Sequence, residues 1–367
     1  MSADQSLLLI GIGGAGSAMA RGVKRAFGEE LNFVTVDTDA STGGDDGRFV
    51  LLGGERLSGR GAGGDIAMAK VAAEDSIGAL DEYLEGVRMA VVVTALGGGT
   101  GSAATLVALK HLASLGITSI VFASTPFPFE GEERQRNTTS MQAMVEEAAN
   151  ASFIIPLGSL IAGEDNMERA LARAVDTIAS GVTLFWRMLE KPGYIRFDAE
   201  RLRRFISGAS RGRFATAAAA GERRATAVAE AIKSSPLVSR LKGQVRSAVV
   251  GILAGDDLRL SEVGEIADSI RSGIGSVTSF EVATVNDEAT FSGRIAVVAM
   301  LFESSTDEAA AGGKTARRGK GAVRGKSRIL GVGPAGRGRF TNSEPTIYKG
   351  EDLDIPTFVR QNITLEF

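Results

Sequence analysis

From Leu7 to about residue 156, short β-branched runs alternate with helical patterns, and this alternation restricts the fold more than any other feature of the chain. The runs are "LLLIGIGG", "NFVTVDTDA", "AVVVTALGGG", "ITSIVFASTP" and "SFIIPLG". Stretches such as "GSAMARGVKRAF" and "GSAATLVALKHLASLG" lie between them. Strands that are apolar nearly throughout, separated by helices, predict a parallel sheet covered on both faces. The expected fold is therefore α/β, with a doubly wound nucleotide-type domain over residues 1–165 whose strand ends converge on one crevice.

A long helical pattern, "DNMERALARAVDTIASGVTLFWRMLEK", predicts a central connecting helix over 166–192, closed by Pro192-Gly193. Residues 193–302 mix helix-like "GERRATAVAEAIKSS" with strand-like "RSAVVGILAG", "VTSFEVATV" and "GRIAVVAMLF", which predicts a smaller α+β domain. Residues 303–345 are rich in Gly, Ala, Ser, Lys and Arg and lack aliphatic periodicity. They are expected to form a disordered linker, because they cannot bury enough surface to offset chain entropy. Residues 346–367 follow as a C-terminal peptide. The chain has no cysteine, which excludes disulfides and thiolate chemistry. Its single histidine, His111, sits in an apolar helical pattern and reads as structural. No run approaches the ~20 apolar residues of a membrane span, and no signal-type core opens the sequence, so a cytoplasmic location is expected.

Glycine-rich turns between a strand and a helix let backbone N–H groups approach an anion, and the helix N-terminus adds favourable partial charge. The first, "GIGGAGSA", matches GxGxxG through Gly11, Gly13 and Gly16, and alone would suit a dinucleotide-binding dehydrogenase or merely tight strand-helix packing. The second, "GGGTGSA", lies on another strand and offers the hydroxyls of Thr100 and Ser102 to the same anion. The third is "GRGAGGD", Gly59 to Asp65. Three loops at one sheet edge exceed what a pyrophosphate needs and suit a triphosphate. No P-loop signature GxxxxGK[ST] is present.

This combination resembles the tubulin and FtsZ superfamily, on its bacterial FtsZ side. Its signature GGGTGSG is present as Gly97, Gly98, Gly99, Thr100, Gly101 and Ser102, with Ala103 in place of the last glycine. The resemblance implies a GTP/GDP site with Mg2+ held mainly by the phosphates rather than by side chains. It implies nucleotide contacts from Gly13, Gly14, Gly16 and Ser17 in the first loop, from Asp39 with Asp37 and Thr38 in "NFVTVDTDA", and from Gly61, Ala62 and Gly63. "TPFPFEGEER" is similar to KPFxFEGxxR, which implies that Glu130 holds the ribose and that Pro126 and Arg134 contact the nucleotide. For the base, Asp176 falls within one residue of the guanine-reading position, whereas Leu157, and Ser17 or Ala18, stand where asparagines are usual.

The resemblance also implies head-to-tail filaments for bacterial cell division. In such filaments a loop of pattern N-x-D-x-x-D enters the next subunit's site, and its carboxylates position the attacking water. Here the loop reads "YIRFDAERLRRFI". Aligned on Leu202, Phe205 and Ile206, Asp198 takes the first aspartate, Arg196 the asparagine and Arg201 the second aspartate. A guanidinium cannot act as a base near neutral pH, so hydrolysis is expected to be impaired. Glu200 is the alternative carboxylate, in a register that turns Leu202 off the buried face. A contact of Arg201 with the neighbour's γ-phosphate is the other reading. A non-hydrolysing, filament-associated scaffold or regulatory paralogue is the competing function.

At the C-terminus "GEDLDIPTFVR" resembles the FtsZ peptide that docks membrane tethers and division regulators, through Asp354, Ile355, Pro356 and Phe358. From Lys314 to Arg339 nine basic residues occur with no Asp or Glu between them. They read as an extended tether, or as a contact to anionic membrane or to neighbouring filaments in bundling. Nucleic acid is disfavoured because no aromatics interleave the run.

Overall fold

A computed structural model describes residues 6–303 except 29, 45–47, 161–165, 207–209, 239–244 and 276, together with 347–348 and 351–352. The five predicted N-terminal runs form strands β1 (Leu7–Ile12), β2 (Phe33–Asp37), β4 (Met89–Ala95), β5 (Thr118–Thr125) and β6 (Ala151–Pro156). A short strand that the sequence did not signal, β3 (Phe49–Leu51), pairs with β2 at the edge. The six strands are parallel in the order β3-β2-β1-β4-β5-β6. That order reverses direction between β1 and β4, which creates the crevice where doubly wound sheets take ligands.

Helices α1 (Gly13–Phe27), α2 (Ile66–Ser76), α3 (Gly99–Ser114) and α4 (Glu132–Ala148) cover this sheet. Side chains alternate between its two faces, as the strand period requires. Leu7, Leu9, Val91, Val93 and Phe122 enter one buried cluster with Met19 and Val23 of α1. Leu8, Ile10, Val92 and Val121 enter another with Ala104, Ala108 and Leu112 of α3.

Helix α5 (Met167–Glu190) rises about 36 Å at 1.5 Å per residue. It begins at Asn166, whose side chain accepts the Arg169 amide, and Pro192 follows its end. Its buried face, Ile178, Val182, Phe185, Trp186 and Leu189, joins the cluster on the α1 side of the sheet. Gly22 of α1 allows close approach, since a Cβ there would sit 3.3 Å from Ala179 Cβ.

After the short helix α6 (Ala199–Phe205), the chain adds β7 (Ser210–Ala220), α7 (Arg224–Ser234), β8 (Val245–Ala254), α8 (Leu260–Ile274), β9 (Ser279–Asn286) and β10 (Arg294–Glu303). Strand β7 was not foreseen, because "SRGRFATAAAA" carries an alanine run with no strand-type alternation. It pairs antiparallel with β10 along its length and parallel with β6 over three residues, Ala151 to Phe153. The sheet therefore continues through both halves of the chain, ending β6-β7-β10-β8-β9. Alanines suit β7 because it is flanked on both sides and α7 packs across it.

Residues 347–348 and 351–352 form a two-stranded antiparallel ladder, Ile347 facing Asp352 and Tyr348 facing Glu351. The expectations for Asp354, Ile355, Pro356 and Phe358, and for the basic run 314–339, lie outside the described residues. Among the described residues no helix is long and apolar enough to cross a membrane.

Candidate functional site: a glycine-lined head cleft and a tail loop

A cleft of about 480 Å³ opens at the C-terminal ends of β1 and β4. Its floor is made of backbone. Helices α1 and α3 both begin there, after Ile12 and Gly98, and neither has a side-chain cap or an acidic residue in its first turn. Their first amides are thus left to an external acceptor, and both dipoles favour an anion. The two termini are packed together, since a Cβ on Gly13 would lie 3.1 Å from the Gly101 amide nitrogen. Thr94 Oγ1 sits between the loops, 3.2 Å from the Ile12 carbonyl oxygen and 2.9 Å from that of Gly101.

Of the residues expected at the nucleotide, Gly13, Gly14, Asp39, Gly61, Ala62, Gly63, Gly98, Gly99, Thr100, Gly101 and Arg134 line this cleft. A Cβ on Gly98 or Gly63 would meet nothing within 4 Å, so the cleft is open above their backbone. The third loop does not offer a free helix end, because Asp65 caps α2 by accepting the amides of Ala67 and Met68. Thr38 and Thr100 join the second and signature loops through their hydroxyls, 2.7 Å apart.

The remaining expected residues are placed differently. Gly16 is a packing glycine, as its Cβ would stand 2.4 Å from the Val93 carbonyl oxygen. Ser17 is fully buried, and its Oγ has no hydrogen-bond partner among the described residues. Ser102 does not face the cleft as the sequence suggested: its hydroxyl accepts the Gly97 amide at 2.9 Å and shapes the turn from within. Gly97 has φ +101°, a conformation that favours glycine, and a Cβ there would meet Thr138 Oγ1 at 3.0 Å, the Arg134 carbonyl oxygen at 3.1 Å and Pro126 at 3.3 Å. Glu130 accepts the Phe127 amide at 2.7 Å and binds Arg134 at 2.6 Å, which sets that arginine at the rim. Asp176 is exposed on α5, in a separate depression with Arg169, Ser180 and Thr216.

Residues that sequence reasoning passed over include Arg60, Thr42 and Leu96 on the cleft wall. Arg60 could have been suspected from its place inside "GRGAGGD". The two cleft carboxylates have opposite settings. Burial raises the Asp37 carboxyl above its ordinary value, whereas hydrogen bonds from Ser41 hold Asp39 below it.

The loop between α5 and α6 is fastened to β9. Thr284 donates its amide to the Ile195 carbonyl oxygen at 2.9 Å, its Oγ1 accepts the Ile195 amide, and Asn286 donates to the Pro192 carbonyl oxygen. Gly193 is pressed so closely on β9 that a Cβ would lie 1.7 Å from the Thr284 carbonyl oxygen. Phe197 is buried, while Tyr194, Ile195 and Arg196 form the exposed tip. Leu202 and Ile206 are buried, so α6 has the register that sets Arg201, not Glu200, one turn after Asp198.

Asp198 caps α6 by accepting the Arg201 amide at 2.8 Å. The Arg201 guanidinium is committed to its own subunit: it donates to Glu281 of β9 at 2.6 Å and to the Arg196 carbonyl oxygen at 3.2 Å, and lies over the Phe197 ring. Glu200 is gripped through both oxygens by Arg203, at 2.9 and 3.1 Å, and this holds its carboxyl below the ordinary glutamate value. Glu281 gave no sequence signal, since only the pairing of β9 with β8 carries it to the loop.

The profile of the Tubulin/FtsZ family GTPase domain matches residues 6–162. The cell division protein FtsZ of Pseudomonas putida is 30% identical over 285 residues, which cover 76% of this chain and 72% of that protein. Cell division protein FtsZ 2 of Rhizobium meliloti is 28% identical over 308 residues, 82% of this chain and 88% of that one. Among solved structures, an empty FtsZ dimer from M. jannaschii superposes with TM-score 0.74 at 21% identity, covering 82% of this chain and 89% of that chain. A GTPgS-bound protofilament of CetZ2 from Haloferax volcanii gives TM-score 0.67 at 23% identity, covering 83% and 96%. With two uncapped helix N-termini meeting over the signature loop, and with these relatives, the chain belongs to the Tubulin/FtsZ family and carries its GTPase domain.

Proposed function

We propose that this chain binds GTP and GDP with Mg2+ in the head cleft, stacks head to tail into cytoplasmic filaments that serve bacterial cell division, and turns GTP over slowly. The observation that carries nucleotide binding is the meeting of the α1 and α3 N-termini, uncapped and glycine-lined, at one cleft. A magnesium ion on the phosphates would neutralise part of their charge and support transfer to water. The chain's own contribution is to orient: amides of the loops beginning at Gly13 and Gly98 receive the phosphates and Arg134 closes the rim, while Asp176, which lies in its own depression outside the cleft lining, is assigned to the base edge by the family resemblance alone.

Slow turnover follows from the tail loop. At the position expected to activate water stands a guanidinium already paired with Glu281, and the nearest alternative, Glu200, is clamped by Arg203. Asp198 is left as the one loop carboxylate without a cation partner among the described residues. The same pairs favour the second reading, a filament-associated scaffold that holds nucleotide without consuming it. Division tethers at Asp354, Ile355, Pro356 and Phe358, and anionic membrane or bundling contacts for the basic run, complete the proposal.

Phosphate release, light scattering and electron microscopy on one purified sample test it. Filaments that form with GTP while phosphate appears slowly support the reading. Brisk release from the unaltered chain would refute the role given to Arg201, and no filaments under any nucleotide would refute the assembly role.

A further inference from the structure

A second cleft, of about 610 Å³, lies at the opposite end of the same strands. Ser6 and Met89, at the starts of β1 and β4, line it, whereas Ile12 and Ala95, at their ends, line the head cleft. The two clefts are thus separated by one strand length, about 20 Å at 3.3 Å per residue. A copy translated along the strand direction would set its tail cleft over the neighbour's head cleft.

The charges of this tail cleft are unequally engaged. Glu30 is paired with Lys191 at 3.0 Å, Glu200 with Arg203, Asp198 caps α6, and Glu190 buries one carboxylate oxygen. Arg88 and Arg196 are both exposed, and neither makes a contact-distance ion pair or a side-chain hydrogen bond among the described residues; Arg88 acts on Glu200 only through its charge, and the Glu200 oxygens are taken up by Arg203. Arg201 is unavailable because Glu281, the Arg196 carbonyl and the Phe197 ring hold it. Arg196 sits at the tip of a loop that β9 fixes through Pro192 and Ile195, so its backbone is positioned before any partner arrives.

We propose that Arg88 and Arg196 form a guanidinium pair that receives the terminal phosphate of the nucleotide held in the adjoining copy's head cleft. The inference rests on the head-to-tail assembly proposed above and assigns its nucleotide-sensing contact to two residues of the tail. A triphosphate turns the head face anionic, and guanidinium matches phosphate oxygens in a planar, bidentate fashion. Because the contact is to the terminal phosphate, it distinguishes GTP from GDP, and it stabilises the filament without supplying a base.

The test measures the critical concentration for sedimentation of the full chain in GTP and in GDP, for the unaltered protein, Arg88→Ala/Arg196→Ala and Arg196→Lys. The pair predicts a GTP critical concentration raised at least about tenfold in the double variant, with the GTP–GDP difference largely abolished. Arg196→Lys should recover part of it. Affinity of the monomer for a fluorescent GTP analogue, and far-ultraviolet circular dichroism, should stay unchanged, since neither residue lines the head cleft. An unaltered GTP–GDP ratio in the double variant, or equal losses in both nucleotides, overturns the inference alone. Failure of the unaltered chain to assemble with GTP overturns the assembly proposal and this contact with it.

Discussion

The head cleft and the tail loop stand at opposite ends of β1 and β4, yet they are built by different means. The head rests on backbone at its floor, where glycines, helix termini and packed turns meet, and carries polar side chains such as Asp37, Asp39 and Arg60 on its wall. The tail uses side chains: four arginines lie within nine residues, of which Glu281 engages Arg201 and Glu200 engages Arg203 and Arg204, while Arg196 has no contact-distance ion pair among the described residues. Backbone sites tolerate sequence drift as long as glycine stays where a Cβ would collide. Side-chain sites change chemistry with a single substitution. The same chain can therefore keep an intact anion cradle while its proposed water-activating position carries the wrong charge.

Matched glycine substitutions should separate the two regions most sharply. Gly101→Ala puts a Cβ 2.2 Å from the Ala95 carbonyl oxygen, and Gly193→Ala puts one 1.7 Å from that of Thr284. Each should cost about 1–3 kcal/mol of stability through overpacking, read by thermal unfolding. Fluorescent-nucleotide titration should show Gly101→Ala losing GTP at least about 100-fold through the displaced amides. Gly193→Ala should bind GTP normally and fail to pellet as filaments. Equal nucleotide affinities in the two variants would break the contrast.

Next in size is the restored carboxylate. Arg201→Asp alone would place a second carboxylate beside Glu281, so Arg201→Asp/Glu281→Gln is the cleaner variant. Phosphate release in assembled samples should rise by roughly 100-fold, the lower end of general-base contributions. A double variant no faster than the unaltered chain would show that Arg201 does not limit turnover.

The end of α5 offers a smaller, purely structural comparison. Arg187, buried on α5, binds Asp287 just beyond β9 and stacks near Phe27 and Phe291. Asp287→Ala strands that guanidinium and should cost about 3 kcal/mol in chemical denaturation. Nucleotide affinity should change less than twofold. A large loss of affinity would mean that the head depends on the tail's anchoring.

The smallest effect expected is a pH dependence of opposite sign at the two ends. The Asp37 carboxyl is raised by burial, so its protonated form is favoured on folding. That contribution is complete below about 3.8, its ordinary value, and is lost as pH rises through the higher folded value. The Glu200 carboxyl is lowered by Arg203, so its contribution is present above about 4.5 and is lost as pH falls through the lower folded value. In nucleotide-free protein, Asp37→Asn should raise the unfolding midpoint at neutral pH and leave it unchanged in acid. Glu200→Gln should lose stability only at neutral pH. Denaturant midpoints across pH 3–7 would show whether the two slopes oppose.

Much of this was legible in the chain. Glycine spacing located the head cleft, because loops that lead from apolar strands into helices fall at one sheet edge in a doubly wound fold. Apolar spacing at Leu202 and Ile206 already placed Arg201 one turn after Asp198. Less was legible where a residue's role depends on a distant strand. Ser102 looked like an anion ligand because its hydroxyl type and position fit, and only the turn around Gly97 showed that the hydroxyl serves the loop itself. Strand β7 escaped because its alanines carry no pattern of their own and take their state from β10.

By itself, then, the sequence determined the parallel α/β core, the glycine loops and the charge of the tail, since each follows from local periodicity and residue type. Only the tertiary structure decided which charges are paired at contact distance and which are not. Arg201 is neutralised by Glu281, eighty residues later and brought near by β9, whereas Arg88 and Arg196 share a cleft through β4 and the end of α5. Ion pairing depends on distances of a few ångströms between elements remote in the chain, and no local pattern encodes them.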